Sequence, residues 1–159
     1  MGVKRLNHAV LYVRNARRSA EWYARIFGME VVSEFGGDQG VFMRIPDGGN
    51  DHDIAFFSLG DGAAPSDAGR RTVGLYHLAW QVDNLSDLVD FQARLGEVGA
   101  LVGATDHTVT KSLYAKDPDG LEFEVMWLVP REELTETELA EGGTLKPLDL
   151  GRELARFGG

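Results

Sequence analysis

The 159-residue chain contains no cysteine. That excludes disulfides, thiolate nucleophiles and zinc sites built from sulfur, and it fits a reducing compartment. No stretch approaches the roughly 20 apolar residues that a membrane-spanning helix needs. Only two basic residues precede the strand-like run LNHAVLYV, and no small-residue cleavage site follows a hydrophobic core. No signal peptide is therefore expected, and the expected location is cytoplasmic. Basic charge is also scarce: 16 Lys and Arg stand against 25 Asp and Glu, a formal net charge of −9. Such a surface repels phosphate backbones, and no basic patch is interleaved with aromatics, so neither nucleic acid nor membrane is an expected partner. What is present, 43% hydrophobic and 26% charged residues, is the profile of a soluble globular protein. A chain of this length buries roughly 70% of its unfolded surface and needs no staples to form a core. Twenty glycines point to many turns and a strand-rich fold.

The chain is written twice. Leu6-Asn7-His8-Ala9-Val10-Leu11-Tyr12-Val13 reads as a strand, and Leu75-Tyr76-His77-Leu78-Ala79-Trp80-Gln81-Val82 as a second with Leu, His and Val in the same slots. The two histidines lie 69 positions apart, and at the same offset Asn15 matches Asn84 and Ala24-Arg25 matches Ala93-Arg94. Each strand leads into a helical stretch. Ala20, Tyr23, Ala24 and Phe27 recur at helical spacing before Gly28; Leu88, Phe91 and Leu95 do so between a capping Ser86 and Gly99. Three strands are predicted after each helix: 30–35, 40–45 and 53–59, then 101–104, 110–116 and 121–128. Gly36-Gly37, Pro46-Asp47-Gly48-Gly49 and Asp117-Pro118-Asp119-Gly120 are turn signals between them. The predicted organisation is one domain over 1–129, made of βαβββ modules at 4–59 and 73–129 joined by a linker at 60–72. Pro130-Arg131-Glu132-Glu133 suits a helix start and Gly142-Gly143 a break, so 130–159 is read as a peripheral helical or irregular tail, available to a neighbouring subunit.

A lone strand histidine is more often a core or surface residue than a ligand. Two at equivalent places in a repeat are different, because modules packed with pseudo-two-fold symmetry would bring both imidazoles to one point. The final strand adds a third group. In Leu121-Glu122-Phe123-Glu124-Val125-Met126-Trp127 alternation puts Phe123, Val125 and Trp127 toward the helix and Glu122, Glu124 and Met126 on the other face. A mid-strand carboxylate between apolar neighbours is costly unless paired or metal-bound, which favours Glu124 over the turn-proximal Glu122. The matching strand of module one is apolar from Ile54 to Phe57 and offers no fourth ligand. Expected metal ligands are therefore His8, His77 and Glu124. Two histidines and one carboxylate leave coordination positions open, the arrangement of non-haem Fe(II) sites, and Mn(II) would suit the same donors.

With these residues in place the chain resembles the vicinal oxygen chelate (glyoxalase/bleomycin resistance/dioxygenase) superfamily over about 4–128, and within it the extradiol ring-cleaving dioxygenases. That resemblance implies an α+β fold in which two βαβββ modules pair into a cupped mixed sheet around a metal site. It implies an enzyme that uses Fe(II) and O2 to cleave an aromatic diol, and a homodimer, since small members often dimerise. It also implies three catalytic residues. His52, opening HDIAFF, is similar to the family's acid/base histidine; Tyr114 in LYAKDPDGLEFE stands at the family's active-site tyrosine; His107 in TDHTVTKSLY is similar to the histidine contacting substrate or bound oxygen. The bland readings are a strand-end surface residue for His52, a half-buried strand aromatic for Tyr114 and a loop residue for His107. The chemistry wants these types: a histidine titrating near neutral pH moves the diol proton, and a tyrosine hydroxyl bonds the deprotonated ring oxygen. The superfamily also holds glyoxalase-like lyases, isomerases, epimerases and metal-free binding proteins. The apolar 54–57 run argues against the first three, and the triad against the last. Tyr12, Phe56, Trp80 and Met126 are each readable as pocket lining or as core.

Overall fold

The computed structural model describes residues 2–141 and 143–158. The chain is α+β and divides into two compact units, Met1–Ser66 and Asp67–Gly159. Module one runs β1 (Ala9–Val13), α1 (Ala16–Phe27), β2 (Glu30–Phe35), β3 (Gly40–Arg44) and β4 (Ile54–Ser58). Its sheet order is β1-β4-β3-β2, with β1 parallel to β4 and the other pairs antiparallel. Module two repeats this with β5 (Leu78–Val82), α2 (Leu85–Glu97), β6 (Leu101–Asp106), β7 (Thr110–Lys116) and β8 (Glu122–Leu128), in the order β5-β8-β7-β6. A parallel pair cannot close through a tight hairpin, so in each module the helix and two further strands intervene between first and last strand.

Both helices begin at the matched asparagines. Asn15 is extended and its side chain accepts the Arg18 N–H at 2.8 Å. Asn84 caps α2, and Asp87 reaches back to the Asn84 N–H at 3.2 Å. Ser86, expected as that cap, lies inside the helix, because the extended Asn84 two residues earlier already ends the preceding segment. Gly28 closes α1 at φ 69°, a left-handed conformation that costs a residue without Cβ nothing. One face of each sheet is covered by its helix. Ala16, Ala20, Tyr23 and Ile26 meet Val41, Met43, Ile54 and Phe56, with the Tyr23 and Phe56 rings 4.8 Å apart. Phe56 is thus core, not pocket lining. In module two Leu88, Phe91 and Leu95 are buried with Leu113, Phe123, Val125 and Trp127.

Two expectations on strand length are corrected. The first strands start at Ala9 and Leu78 rather than at 6 and 75, because the ladder with β4 begins at Ala9 opposite Ile54, and that with β8 at Leu78 opposite Phe123. His8 and His77 therefore stand one residue outside their sheets, at the ends of the first strands. The C-terminal segment folds back on module two. It comprises a 3-10 turn at Arg131–Glu133, α3 (Glu136–Glu141), β9 (Lys146–Pro147) and α4 (Leu150–Phe157). β9 adds to the edge of β6, the Phe157 ring lies 5.4 Å from Trp127, and Arg156 grips both Glu138 oxygens at 2.6 and 2.9 Å. Of the expected breaker Gly142-Gly143, Gly142 lies outside the described residues; α3 ends at Glu141.

The β7–β8 turn is built on Asp117, whose Oδ1 accepts the Asp119 and Leu121 N–H groups, both at 2.9 Å, while Gly120 takes φ 83°. Its Oδ2 is buried without a protein partner. Burial pushes the carboxyl up to about 6, against the pull of the backbone N–H groups and with help from the Asp119 charge. A carboxyl whose folded pKa is raised favours its protonated form in the fold. Its stabilising contribution is complete below the unfolded value and is lost as pH rises through about 6. Asp117→Asn keeps the Oδ1 acceptor and removes the charge. Its stability relative to wild type, from urea unfolding, should improve by on the order of 2 kcal/mol between pH 4 and pH 7.5. Parallel stability curves for the two proteins would reject this account of the turn.

Candidate functional site

The face of each sheet away from its helix carries the polar residues singled out above. In module two, β8 alternates with Phe123, Val125 and Trp127 buried under α2, so Glu122, Glu124 and Met126 take the opposite face. Cross-strand register sets Glu124 between Ala79 of β5 and Tyr114 of β7. His77 lies two residues before Ala79, and its Nε2 is 3.0 Å from Glu124 Oε2. The carboxylate is only 13% exposed, and the other imidazole nitrogen, Nδ1, is buried without a hydrogen-bond partner in the protein.

Tyr114 closes the other side. Its ring meets the His77 ring edge-on at 5.8 Å, and its hydroxyl lies 2.9 Å from His107 Nε2. His107 Nδ1 is 2.9 Å from the Thr144 carbonyl. A carbonyl only accepts, so Nδ1 carries the proton and the neutral ring presents the Nε2 lone pair to the Tyr114 O–H. Burial raises the Tyr114 pKa, as do the Glu124 charge, Tyr76 and a Glu124 hydrogen bond, with Ser112 opposing. The phenol thus stays protonated and a donor at neutral pH. Tyr76, on the other side of the carboxylates, is also raised, chiefly by its hydrogen bond to Glu122 and then by that carboxylate's charge. Glu122 therefore has a protein partner in Tyr76.

In module one His8 Nδ1 lies 2.8 Å from Asn7 Oδ1, and the His8 and His52 rings are 4.4 Å apart. His52 precedes β4 rather than opening it. Phe42 meets it edge-on at 5.3 Å and Asp51 Oδ2 stands 3.3 Å from its Nδ1. The register shows what module one lacks. Phe42 pairs with Ala55 where Tyr114 pairs with Glu124, so an alanine occupies the carboxylate's place and a phenylalanine the tyrosine's.

The expected residues therefore fall into two groups: His77, Glu124, Tyr114 and His107 together in module two, His8 and His52 together in module one. Among the described residues, no three His, Cys, Asp or Glu side chains are grouped so that they could hold a metal ion. The donor set nonetheless suits a divalent ion. A nitrogen and a carboxylate oxygen 3.0 Å apart have the spacing of neighbouring ligands in an octahedron with bonds of about 2.1 Å. Imidazole and carboxylate are donors that iron and manganese accept.

The glyoxalase/bleomycin resistance protein/dioxygenase superfamily model matches residues 5–125. The chain belongs to that superfamily. It is 33% identical over 117 residues to biphenyl-2,3-diol 1,2-dioxygenase 3 of Rhodococcus globerulus, covering 73% of this chain and 59% of that protein. It is 29% identical over 127 residues to catechol-2,3-dioxygenase of Bacillus subtilis (strain 168), covering 79% and 42% respectively. The chain thus spans about half the length of these relatives. Among solved structures, a glyoxylase/bleomycin resistance protein/dioxygenase domain from Frankia sp. EAN1pec superposes with a TM-score of 0.68 at 23% identity, over 82% of this chain and 96% of that one. Superfamily membership settles the fold; the reaction depends on the site.

Sequence reasoning missed Thr144 and the buried charges that seat its segment. Lys111, 2% exposed, places Nζ 2.6 Å from Asp106 Oδ1 and 3.1 Å from Glu153 Oε2 of α4, and Arg152 reaches Asp106 and Glu153 at 3.3 and 2.7 Å. Burial pushes the Asp106 carboxyl up, but Lys111, the Thr108 N–H and Arg152 together hold it below the usual carboxylate range. The signal available was a lysine and an aspartate flanking the His107 turn. Lys111→Met leaves two buried carboxylates answered only by the exposed Arg152 and should lower unfolding stability by about 3 kcal/mol. A loss under about 1 kcal/mol would mean that α4 docks without the ion pairs.

Proposed function

We propose that the chain is an extradiol-type dioxygenase that cleaves the ring of an aromatic diol with O2, and that His8, His77 and Glu124 hold its ferrous ion. Mn(II) suits the same donors. The observation that carries this reading is the carboxylate present at Glu124 and replaced by Ala55 at the equivalent place. One carboxylate and two imidazoles leave room for both diol oxygens and dioxygen; a fourth side chain would not. The dioxygenase relatives, at about 30% identity, support it.

Bound iron supplies joint binding of diol and oxygen and a route for electrons between them. The remaining roles belong to side chains of this chain. His52, its ring tilted against that of His8, takes a proton from the incoming diol and returns it when the ring opens. Tyr114, kept protonated by burial and by the Glu124 charge, turns its O–H from His107 Nε2 to the deprotonated ring oxygen when the diol binds. His107, its Nδ1–H anchored on the Thr144 carbonyl, is the acceptor that holds the tyrosine O–H until then. Phe42, edge-on to His52, keeps water from one side of that base.

The test is anaerobic loading with Fe(II), addition of a catechol panel and then oxygen, and observation of the yellow ring-fission product. Turnover should disappear in His8→Ala, His77→Ala and Glu124→Ala, and fall strongly in His52→Phe. Tight iron binding without oxygen uptake on any catechol would overturn the reading in favour of a lyase or isomerase. Tyr114→Phe should keep its iron and lose about 10²-fold in kcat, the usual cost of one donor to a developing oxyanion. An unchanged kcat would remove Tyr114 from the chemistry.

A further inference from the structure

Three amide and carboxylate side chains around His8 have no role in the chemistry above. Asp53 Oδ2 accepts the Ile45 N–H at 2.7 Å, which anchors the carboxylate at the base of the 46–53 loop. Its Oδ1 is 2.6 Å from Asn50 Nδ2. Asn50 Nδ2 also reaches the Asn7 carbonyl at 3.1 Å. On the other end of the Asn50 amide, Oδ1 faces Asn7 Nδ2 at 3.3 Å and the Arg5 guanidinium. Asn7 Oδ1 then faces His8 Nδ1 at 2.8 Å.

The direction of every bond in this chain is dictated by its ends. A carboxylate and a backbone carbonyl only accept, so the Asn50 atom facing Asp53 and the Asn7 carbonyl must be its NH2. A guanidinium only donates, so the Asn50 atom facing Arg5 must be its oxygen. That oxygen needs a donor from Asn7, which turns the Asn7 oxygen toward the imidazole. His8 must then donate from Nδ1, and in the neutral ring Nε2 is left with the lone pair. The unconstrained neutral imidazole prefers the opposite tautomer, with its proton on Nε2. From these contacts we infer that Asp53, Asn50 and Asn7 form an oriented relay that fixes His8 in the Nδ1–H tautomer and frees Nε2 to bind a divalent metal.

The relay rests on the reading of His8 as a ligand for its purpose, though not for its existence. Asn7, Asn50 and Asp53 are positioning residues. A ligating imidazole whose other N–H has no fixed acceptor loses both orientation and basicity, and such partners are typically worth about 10- to 100-fold in metal affinity. Asn7 and His8 are exposed, so water competes for the Nδ1–H and the lower end of that range applies here.

The test uses the 159-residue, metal-free chain labelled with 15N-histidine at pH 8, which carries four histidines. His8 is assigned from His8→Ala. In the wild type its nitrogens should report Nδ1–H; in Asn7→Ala the signal should move toward Nε2–H. Asn7→Asp restores an acceptor and should restore the Nδ1–H form. Titration with Mn(II) should show about 10-fold weaker binding for Asn7→Ala and recovery in Asn7→Asp. Asn50→Leu, which leaves Asn7 free to turn, should fall between them. A wild-type His8 in the Nε2–H form, or one unmoved by Asn7→Ala, overturns the relay. If the tautomer behaves as stated while His8→Ala binds Mn(II) as tightly as wild type, the relay stands and the ligand assignment fails instead.

Discussion

Much of the second module is organised around one carboxylate that has no ordinary reason to be where it is. Glu124 sits mid-strand between two residues buried against a helix, and a charge there is expensive unless something answers it. His77 answers it from the end of β5, and Tyr114 answers it across the β7–β8 register. The tyrosine is held in turn: His107 takes its hydroxyl, and Thr144 takes the far nitrogen of His107. Remove the carboxylate and Tyr114 loses its polar partner across the strand. Module one demonstrates the point, since with Ala55 in the carboxylate's place its neighbour across the strand is Phe42.

The duplication therefore separates what the scaffold requires from what the chemistry requires. Helix-facing positions stay apolar in both copies, with Ile54 and Phe56 standing where Phe123 and Val125 stand. Helix starts keep their asparagines, because the cap is a demand of the backbone and not of any substrate. The opposite face is free to diverge: each module keeps two histidines, but module two adds Glu124 and Tyr114 where module one has Ala55 and Phe42, and module one adds an amide network.

The repeat, the element order and the helix-facing core were legible in the sequence because they follow from periodicity, which is local. So was Glu124, since alternation alone puts it opposite the apolar side of β8. The strand starts were not legible. LNHAVLYV has strand character throughout, but a strand needs a partner, and β4 does not begin until Ile54. Ser86 has cap chemistry as good as that of Asn84; only the backbone conformation two residues earlier decides between them. The C-terminal segment was the largest omission, because what seats it is a set of ion pairs between residues about 40 positions apart, joining Lys111 and Asp106 to Arg152 and Glu153. Pattern within a window carries no trace of that.

Burying those charges is a poor way to gain stability, as an apolar pair of equal volume usually does as well. What an ion-pair cluster adds is a single acceptable geometry. Here the geometry matters because Asp106 and Thr108 flank His107, and the same segment that contributes Arg152 and Glu153 contributes Thr144. The Thr108 and Thr144 hydroxyls meet at 2.7 Å, β9 pairs with Thr105 and Asp106, and the Thr144 carbonyl sets which nitrogen of His107 bears the proton. An apolar contact would let α4 slide by a fraction of an ångström at little cost. A buried lysine shared between two carboxylates does not allow that, since any shift leaves one of them unanswered. The histidine that holds Tyr114 is thereby referenced to the β6–β7 pair on one side and to the locked segment on the other, which is how a half-buried loop residue comes to have a defined tautomer.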